Sequence, residues 1–200
     1  MRMARRRLGV AVVLIAFSLA PAGAADPACK SRAVGKPWDG RLVCGVQLPA
    51  ESETFATWDF PLAKSPNRGW RRWGTQKLVD RVQQLARNYV LRFPDSPRLV
   101  VGDLSRPKGG PFGSKYGGIG HASHQNGLDA DIYYPRKDGL ETSPEKPSLI
   151  ARGRSQWLVD HAARGADRVF IGPNTGLRRP TSHVQYLAHH DNHLHLRIFP

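Results

Sequence analysis

Two groups of histidine and aspartate residues, far apart in the chain, most constrain how it can fold. The first lies in the stretch GHASHQNGLDAD at residues 120–131, and the second in HHDNHLH at residues 189–195. Imidazole and carboxylate are ligands that zinc accepts, and a catalytic zinc takes about three from the protein, leaving one position open. Because the two groups together offer such a set, we expect the fold to bring them to one metal site.

The second group lies on a predicted strand. Polar and apolar residues alternate over residues 192–199, which is typical of a half-buried antiparallel strand. Residues two apart on a strand point to the same face, so His193 and His195 are expected to project together. His190 lies at the entrance of this strand and is expected to reach the same pocket.

The first group combines a turn with a second strand. His124 comes just before a turn at Gly127, and Asp129 and Asp131 then share one face of a strand over residues 128–134. Burying several charged or imidazole groups together is costly without a cation, which favours a metal here. Asp129 is expected either to orient a histidine N–H, as metal sites commonly require, or to act as a plain structural hydrogen bonder.

Other interpretations of these residues are weaker. Ser123 neighbours histidines, but the chain has no Gly-x-Ser-x-Gly motif and its cysteines lie far from the histidines, which disfavours a nucleophilic serine or cysteine site. Outside the two groups, His161 and His183 are interpreted as surface residues or hydrogen-bonded core groups, and His189 is interpreted in the same way.

The N-terminus has the pattern of a secretory signal peptide over residues 1–24. Arginines precede an apolar run at residues 8–20, and small residues of a cleavage site follow. The rival interpretation is an uncleaved membrane anchor, but the apolar run is shorter than the ~18 residues that a spanning helix needs. We therefore expect an exported protein, in the periplasm or at the cell wall, with residues 25–200 as a single domain.

The two cysteines of the chain, Cys29 and Cys44, lie close together near the start of the mature protein. In an exported protein such a pair predicts a disulfide that fixes an N-terminal loop. Two free thiols or two thiolate metal ligands are the alternatives. The metal alternative is weak because no further cysteine or histidine cluster lies beside them.

The charge of the mature chain favours an anionic partner. The formal net charge of +14 falls to +10 when the four arginines of residues 1–24 are removed. For an exported protein this points to an anionic wall polymer or membrane surface rather than to nucleic acid. A basic face that is merely solvated is the alternative.

The remaining pattern predicts an α+β domain. Residues 25–71 are rich in proline, glycine and turn residues, which indicates an irregular N-terminal wrap with at most short strands. Helical spacing predicts one helix over residues 75–92 and another from about Ser148 or Ser155 to Arg164. Strands are predicted at residues 98–103, 128–134, 168–172 and 192–199, and the first of these ends in a polar residue, Asp103. This order suggests a small central antiparallel sheet with flanking helices.

The two motifs carry a family resemblance. The pattern HxxGxxxD at residues 124–131, followed by HxH at residues 193–195, resembles the zinc-peptidase superfamily of lysostaphin-type peptidases, D-alanyl-D-alanine peptidases and the hedgehog signalling domain. More closely, GHASHQxGLDxDI at residues 120–132 with HxxHxHxR at residues 190–197 resembles the penicillin-insensitive murein endopeptidases. The resemblance extends from the predicted strand at Val100 onward.

This resemblance implies a zinc peptidase that hydrolyses peptide cross-links of peptidoglycan with a metal-activated water. It implies that His124, Asp131 and His195 hold one Zn²⁺ ion, and that the fold is similar to that of the hedgehog and D-alanyl-D-alanine peptidase domains. After Tyr134 the sequence departs from the family, and the further aspartate and histidine associated with a second ion have no clear counterpart. A second ion is therefore doubtful.

The resemblance also implies roles for the remaining histidines. His193 matches the catalytic base or transition-state stabiliser, with His190 as its assistant. His121 matches a further histidine near the metal of the family, either as a ligand or as a residue that supports one.

Two other functions stay open at this point. The same site could serve a zinc D-alanyl-D-alanine carboxypeptidase that acts on uncross-linked stem peptides. Alternatively, the chain could be a zinc-stabilised module that binds the wall without turnover. The presence of both His190 and His193, neither of which is needed as a third ligand, argues against the second alternative.

Overall fold

The computed structural model describes residues 29–113 and 121–200. The predicted signal peptide and Gly120 of the first motif therefore lie outside the described residues. Among the described residues, neither of the two α-helices has the length and apolar character of a membrane span.

The N-terminal segment forms a disulfide-closed hairpin. Strands β1 (Arg32–Lys36) and β2 (Asp39–Val43) pair antiparallel across a two-residue connection, Pro37–Trp38. The predicted disulfide between Cys29 and Cys44 is confirmed and joins the two ends of this hairpin. A second small sheet follows, in which β3 (Val46–Gln47) pairs with β5 (Trp73–Gly74).

The tip of this hairpin is attached to the loop that carries the first histidine group. The backbone N–H of Gln125 donates to the carbonyl of Pro37 at 2.9 Å. The side-chain amide of Asn126 donates to the carbonyl of Gly35 at 3.1 Å. The segment predicted as an irregular wrap with at most short strands is thus hydrogen-bonded to the residues that directly follow His124.

A six-stranded sheet forms the centre of the molecule. In spatial order its strands are β4 (Phe55–Thr57), β6 (Leu99–Val101), β7 (Asp129–Tyr133), β10 (His193–Ile198), β8 (Ala166–Ile171) and β9 (Val184–Tyr186). The two outer pairs, β4 with β6 and β8 with β9, are parallel, and the inner pairs are antiparallel. The predicted α+β class is confirmed, and the sheet is larger and more mixed than the small antiparallel sheet expected. The edge strands β4 and β9 are too short for alternation to reveal them in the sequence.

Both predicted helices are present. Helix α1 (Gln76–Arg92) starts at Thr75, whose hydroxyl accepts a hydrogen bond from the N–H of Leu78 and so caps the first turn. It ends before Pro94, as expected from the backbone restriction that proline places on the residue before it. Helix α2 (Arg152–Ala162) begins between the two predicted start positions, after a short 3₁₀ turn at Pro147–Leu149.

Alternation in the two central strands separates the core from a polar face. Ala130 and Ile132 of β7 and Leu194 and Leu196 of β10 are buried in the same hydrophobic cluster as the apolar side of α1. Successive side chains of a strand point to opposite faces. The aspartates of β7 and the histidines of β10 therefore lie on the other face of the sheet, where the cleft described next is found.

Candidate active site

The antiparallel register of β7 and β10 brings the two histidine and aspartate groups together. His195 is the direct partner of Asp131, and Arg197 is the direct partner of Asp129. Because both strands are adjacent in the sheet, side chains from the two sequence motifs meet on one face. The expectation that the two groups share one centre thus agrees with the geometry.

His124 enters this centre from a loop with an unusual backbone. Its φ angle is +66°, in the left-handed region that a non-glycine residue adopts at a cost of about 1–2 kcal/mol. Three contacts hold it there: its N–H donates to Asp129 Oδ2 at 2.9 Å, its carbonyl accepts from the hydroxyl of Ser105 at 2.5 Å, and its Nδ1–H donates to the carbonyl of Leu104 at 2.7 Å. The last contact leaves Nε2 as the free nitrogen of this fully buried ring.

Gly127 makes the turn from this loop into β7 possible. Its φ angle is +78°, and a Cβ atom at this position would lie 2.7 Å from Leu42 Cδ1 and 3.1 Å from the backbone nitrogen of Thr75. A side chain would therefore be both strained and crowded. Glycine is required here for His124 and Asp131 to face the same point.

Three donor atoms converge on this point. Asp131 Oδ1 lies 3.2 Å from His124 Nε2 and 3.2 Å from His195 Nδ1. Ligands at ~2.0–2.1 Å from a tetrahedral zinc are about 3.3–3.4 Å from one another, so the two separations from Asp131 Oδ1 are close to those of a zinc site. Both His124 Nε2 and Asp131 Oδ1 are buried without a hydrogen-bond partner. Leaving such atoms unpaired costs about 1–3 kcal/mol each, and a cation would satisfy both. The donor set therefore fits a metal ion.

The protonation states of Asp131 and His124 are those in which these groups bind a metal ion. Burial alone would raise the pKa of Asp131, but the imidazoles around it, among them that of His195, hold it well below its usual value, so the group is an anionic carboxylate. Burial lowers the pKa of His124, so its ring is neutral at pH 7. A carboxylate and a neutral imidazole are the forms that bind metal.

His195 lies between two carboxylates. Its Nδ1 faces Asp131, and its Nε2 is 3.3 Å from Asp129 Oδ1. Burial tends to lower the pKa of His195, but Asp129 and Asp131 outweigh it and raise the pKa to about 9.

Asp129 connects several parts of the site. Besides His195 and the backbone of His124, it accepts a hydrogen bond from Arg197, with Nε at 2.7 Å from Oδ1. It is completely buried. It therefore contacts both the loop before β7 and the ring of His195.

His193 and His190 stand beside the three donor atoms. His193 Nε2 is 3.6 Å from Asp131 Oδ1, and the His190 ring is centred 4.7 Å from the His193 ring and 5.8 Å from the His195 ring. Burial lowers the pKa of His193 to about 3 and also lowers that of His190, so both rings are neutral at pH 7.

Asn192 orients His193 and was not singled out from the sequence. The His193 Nδ1–H donates to Asn192 Oδ1 at 2.6 Å, and Asn192 Nδ2 donates in turn to the hydroxyl of Ser143 at 3.1 Å. This contact leaves His193 Nε2 free toward the cleft. The only signal in the sequence is that a side-chain amide directly precedes the histidine.

His121 also joins the centre. Together with His124 and Asp131 it forms a group whose donor atoms all lie within 4.8 Å of one another, as expected for a metal site. Its Nδ1 is 3.7 Å from Asp131 Oδ2, and its Nε2 is 2.7 Å from Asp103 Oδ2. The partner Asp103, and Arg71 behind it, were not assigned to the site from the sequence.

The remaining histidines are apart from this centre. His161 stacks on Trp157 with ring centres 3.7 Å apart, and His183 is exposed beside Arg168. His189 is also exposed, although it lies at the edge of the cleft. Their interpretation as surface or packed residues agrees with these positions.

A cleft of about 950 Å³ opens above the donor atoms. Its floor contains His121, Asp131 and the three histidines at 190, 193 and 195, and its rim carries exposed apolar side chains, among them Trp38 and Phe60. Small-molecule pockets span about 300–1,000 Å³, so there is room for a substrate larger than the group that reacts.

Comparison with known proteins gives one family. The pattern of the family described as penicillin-insensitive murein endopeptidase matches residues 33–175, which include the first histidine group. The second group lies beyond the matched residues. The match covers well over half of the chain.

Individual relatives carry the same description. The penicillin-insensitive murein endopeptidase of Yersinia enterocolitica is 29% identical over an alignment that covers 94% of this chain and 76% of the relative. The relative from Haemophilus influenzae is 28% identical over 69% of this chain and 42% of its own length. The relative from Escherichia coli is 28% identical over 72% of this chain and 54% of its own length. The chain thus spans about half the length of the last two relatives.

Proposed function

This chain belongs to the family of penicillin-insensitive murein endopeptidases, and we propose that it is an exported zinc peptidase. Its proposed reaction is the hydrolysis of peptide cross-links of peptidoglycan. One observation carries the chemical part of this proposal. His124 Nε2 and His195 Nδ1 both lie 3.2 Å from Asp131 Oδ1, in a buried position open to a cleft.

His124, Asp131 and His195 are the residues that would hold the zinc ion. When bound, zinc would act as a Lewis acid that makes water more acidic and polarises the carbonyl of the scissile bond. Asp129 supports two of these residues, because it accepts hydrogen bonds from the His124 backbone and contacts the His195 ring. Such supporting contacts raise the affinity and fix the orientation of metal ligands.

His193 is the residue that would move the proton. Its Nδ1–H is held by Asn192, so the free Nε2 faces the cleft beside Asp131. A neutral imidazole in this position can accept a proton from the attacking water and deliver it to the leaving amine. The neighbouring ring of His190 would assist by keeping His193 in place and limiting the access of bulk water.

The same proposal includes the setting of the enzyme. We take residues 1–24 as the signal peptide and residues 25–200 as one zinc-peptidase domain, in the periplasm or at the cell wall. One continuous hydrophobic cluster, reaching from Leu48 to Ile198, supports a single domain. The net charge of +10 without the signal peptide supports contact with anionic wall polymers or a membrane surface, and no nucleic-acid partner is proposed.

The test uses the purified mature protein and cross-linked muropeptides. Release of monomeric muropeptides, its loss with a chelator and its return with added zinc would support the proposal. Product masses that show only loss of a terminal D-alanine from uncross-linked stems would identify a carboxypeptidase instead. Binding to peptidoglycan with zinc present and no product would contradict the proposal and favour a non-catalytic module.

A further inference from the structure

Arg71 is a fully buried charged residue beneath the cleft. The residue is 0% exposed, and its guanidinium carbon lies beside the rings of Trp70 and Phe112, 5.0 Å and 5.2 Å from the ring centres. It makes a two-pronged contact with Asp103, in which Nε donates to Oδ1 at 2.6 Å and Nη2 donates to Oδ2. The Asn67 side chain donates to the same carboxylate at 2.9 Å.

A buried ion pair of this kind is a weak source of stability, because desolvating both charges offsets most of their attraction. The contact of Asp103 on its other side suggests a different role. Asp103 Oδ2 also lies 2.7 Å from His121 Nε2, and the His121 side chain is 19% exposed in the cleft. Arg71, Asp103 and His121 thus form a continuous chain from the interior to the floor of the cleft.

The backbone fixes where this chain stands relative to the donor atoms. The N–H of Asp131 donates to the carbonyl of Asp103 at 2.8 Å, and the N–H of Gly102 donates to the carbonyl of Asp131 at 2.9 Å. These bonds hold the carboxylates of Asp103 and Asp131 on neighbouring segments. His121 lies between them, with Nε2 toward Asp103 and Nδ1 toward Asp131.

The direction of the hydrogen bond has a consequence for His121. A carboxylate held by an arginine can only accept, so Nε2 of His121 must carry the proton in this contact. Nδ1 is then the nitrogen available to a cation beside Asp131. We propose that Asp103, fixed by Arg71, is the positioning residue that directs Nδ1 of His121 toward the metal position; this rests on the proposed zinc site.

Arginine suits this task better than lysine would. Its planar guanidinium holds both carboxylate oxygens and so fixes the plane of the Asp103 carboxylate, whereas an ammonium group attracts it only as a point charge. Oδ2 serves both Arg71 and His121, so rotation of the carboxylate would move the imidazole as well.

The experiment measures zinc affinity, by competition with a chelator of known affinity, separately from activity. For Asp103→Asn we expect zinc binding weaker by about 10–100-fold, the usual effect of removing a group that orients a ligand. Arg71→Lys should weaken zinc binding less. The matched control is Asp59→Asn, because Asp59 is also fully buried and makes a two-pronged contact with an arginine, Arg68, but does not contact His121.

An unchanged zinc affinity in Asp103→Asn, or an equal loss in Asp59→Asn, would overturn the inference. Zinc binding by the wild type without cleavage of muropeptides would refute the proposed function while leaving this inference standing. A second measurement avoids any folding defect of the variant. Nitrogen-15 NMR of the zinc-loaded wild type should show His121 with its proton on Nε2, and a proton on Nδ1 would equally overturn the inference.

Discussion

His195 and Asp131 face each other directly across the two central strands, with His195 Nδ1 3.2 Å from Asp131 Oδ1. This pairing depends on the register of β7 and β10. A shift of one residue in either strand would turn its polar side chains toward the core and its apolar residues toward the cleft. The hydrophobic pattern of Leu194 and Leu196 therefore determines the position of the candidate metal site as well as that of the core.

Metal binding and proton transfer should be separable by substitution. We expect Asp131→Asn to lose bound zinc and activity together. We expect His193→Ala to keep zinc but to lower kcat by about 10²–10⁴-fold, the usual contribution of a positioned acid or base. Metal analysis and turnover of cross-linked muropeptides measure the two effects, with the exposed His183→Ala as control. Wild-type turnover in His193→Ala would show that the assignment is wrong.

Removal of the metal should lower the melting temperature. His124 Nε2 and Asp131 Oδ1 are buried without hydrogen-bond partners, so a cation that satisfies them binds the folded state preferentially. At a free zinc concentration a thousand times Kd, the expected stabilisation is about 4 kcal/mol. Thermal unfolding with zinc and with chelator measures the difference. The same melting temperature in both would argue against a metal site, and Asp131→Asn should show no difference.

The disulfide should contribute to stability through the denatured state. Cys29 and Cys44 are 15 residues apart, and closing a loop of this size stabilises a fold by about 3 kcal/mol. The double variant Cys29→Ser with Cys44→Ser should therefore unfold at a lower denaturant concentration. A reductant should destabilise the wild type to a similar extent and leave the double variant unaffected. If the reductant lowered the stability of both proteins, a cause other than the disulfide would be responsible.

The stability of the protein should depend on pH through the carboxylate of Glu141. Hydrogen bonds from Arg98, with Nη2 to Glu141 Oε2 at 2.6 Å, lower the pKa of Glu141 below its usual value. Because the pKa is lower in the folded state, ionised Glu141 stabilises the fold above its unfolded pKa of about 4.3. This stabilisation is lost as the pH falls through the pKa of Glu141 in the folded state. The stability difference between wild type and Glu141→Gln should therefore shrink below about pH 4.

The control for this prediction is Glu53→Gln at an exposed position, measured at the same pH values. The free energy of unfolding is measured by chemical denaturation between pH 3 and pH 7, at steps of about one pH unit. A difference that grows toward low pH would contradict the sign of the effect.

Much of the site could be predicted because it follows local rules. Alternation identified β7 and β10, and two-residue spacing placed Asp129 with Asp131 and His193 with His195 on shared faces. The cap at Thr75 and the stop before Pro94 bounded α1 in the same way. Each of these signals lies within a few neighbouring residues.

What could not be predicted depends on distant partners. The contact of Arg71 with Asp103 spans 32 residues, and no local pattern distinguishes Arg71 from the arginine next to it. The edge strands β4 and β9 exist because neighbouring strands provide their hydrogen bonds. The left-handed backbone of His124 depends likewise on contacts with Leu104 and Ser105.

Hydrogen bonds between the N-terminal hairpin and the loop that follows His124 connect the candidate site with the Cys29–Cys44 disulfide. Gln125 and Asn126, directly after His124, are hydrogen-bonded to the hairpin that the Cys29–Cys44 bond closes. A newly made chain in reducing surroundings lacks that bond, and we expect its histidine loop to be less ordered. Oxidation of the two cysteines would then act as a maturation step that completes the order of the proposed metal site.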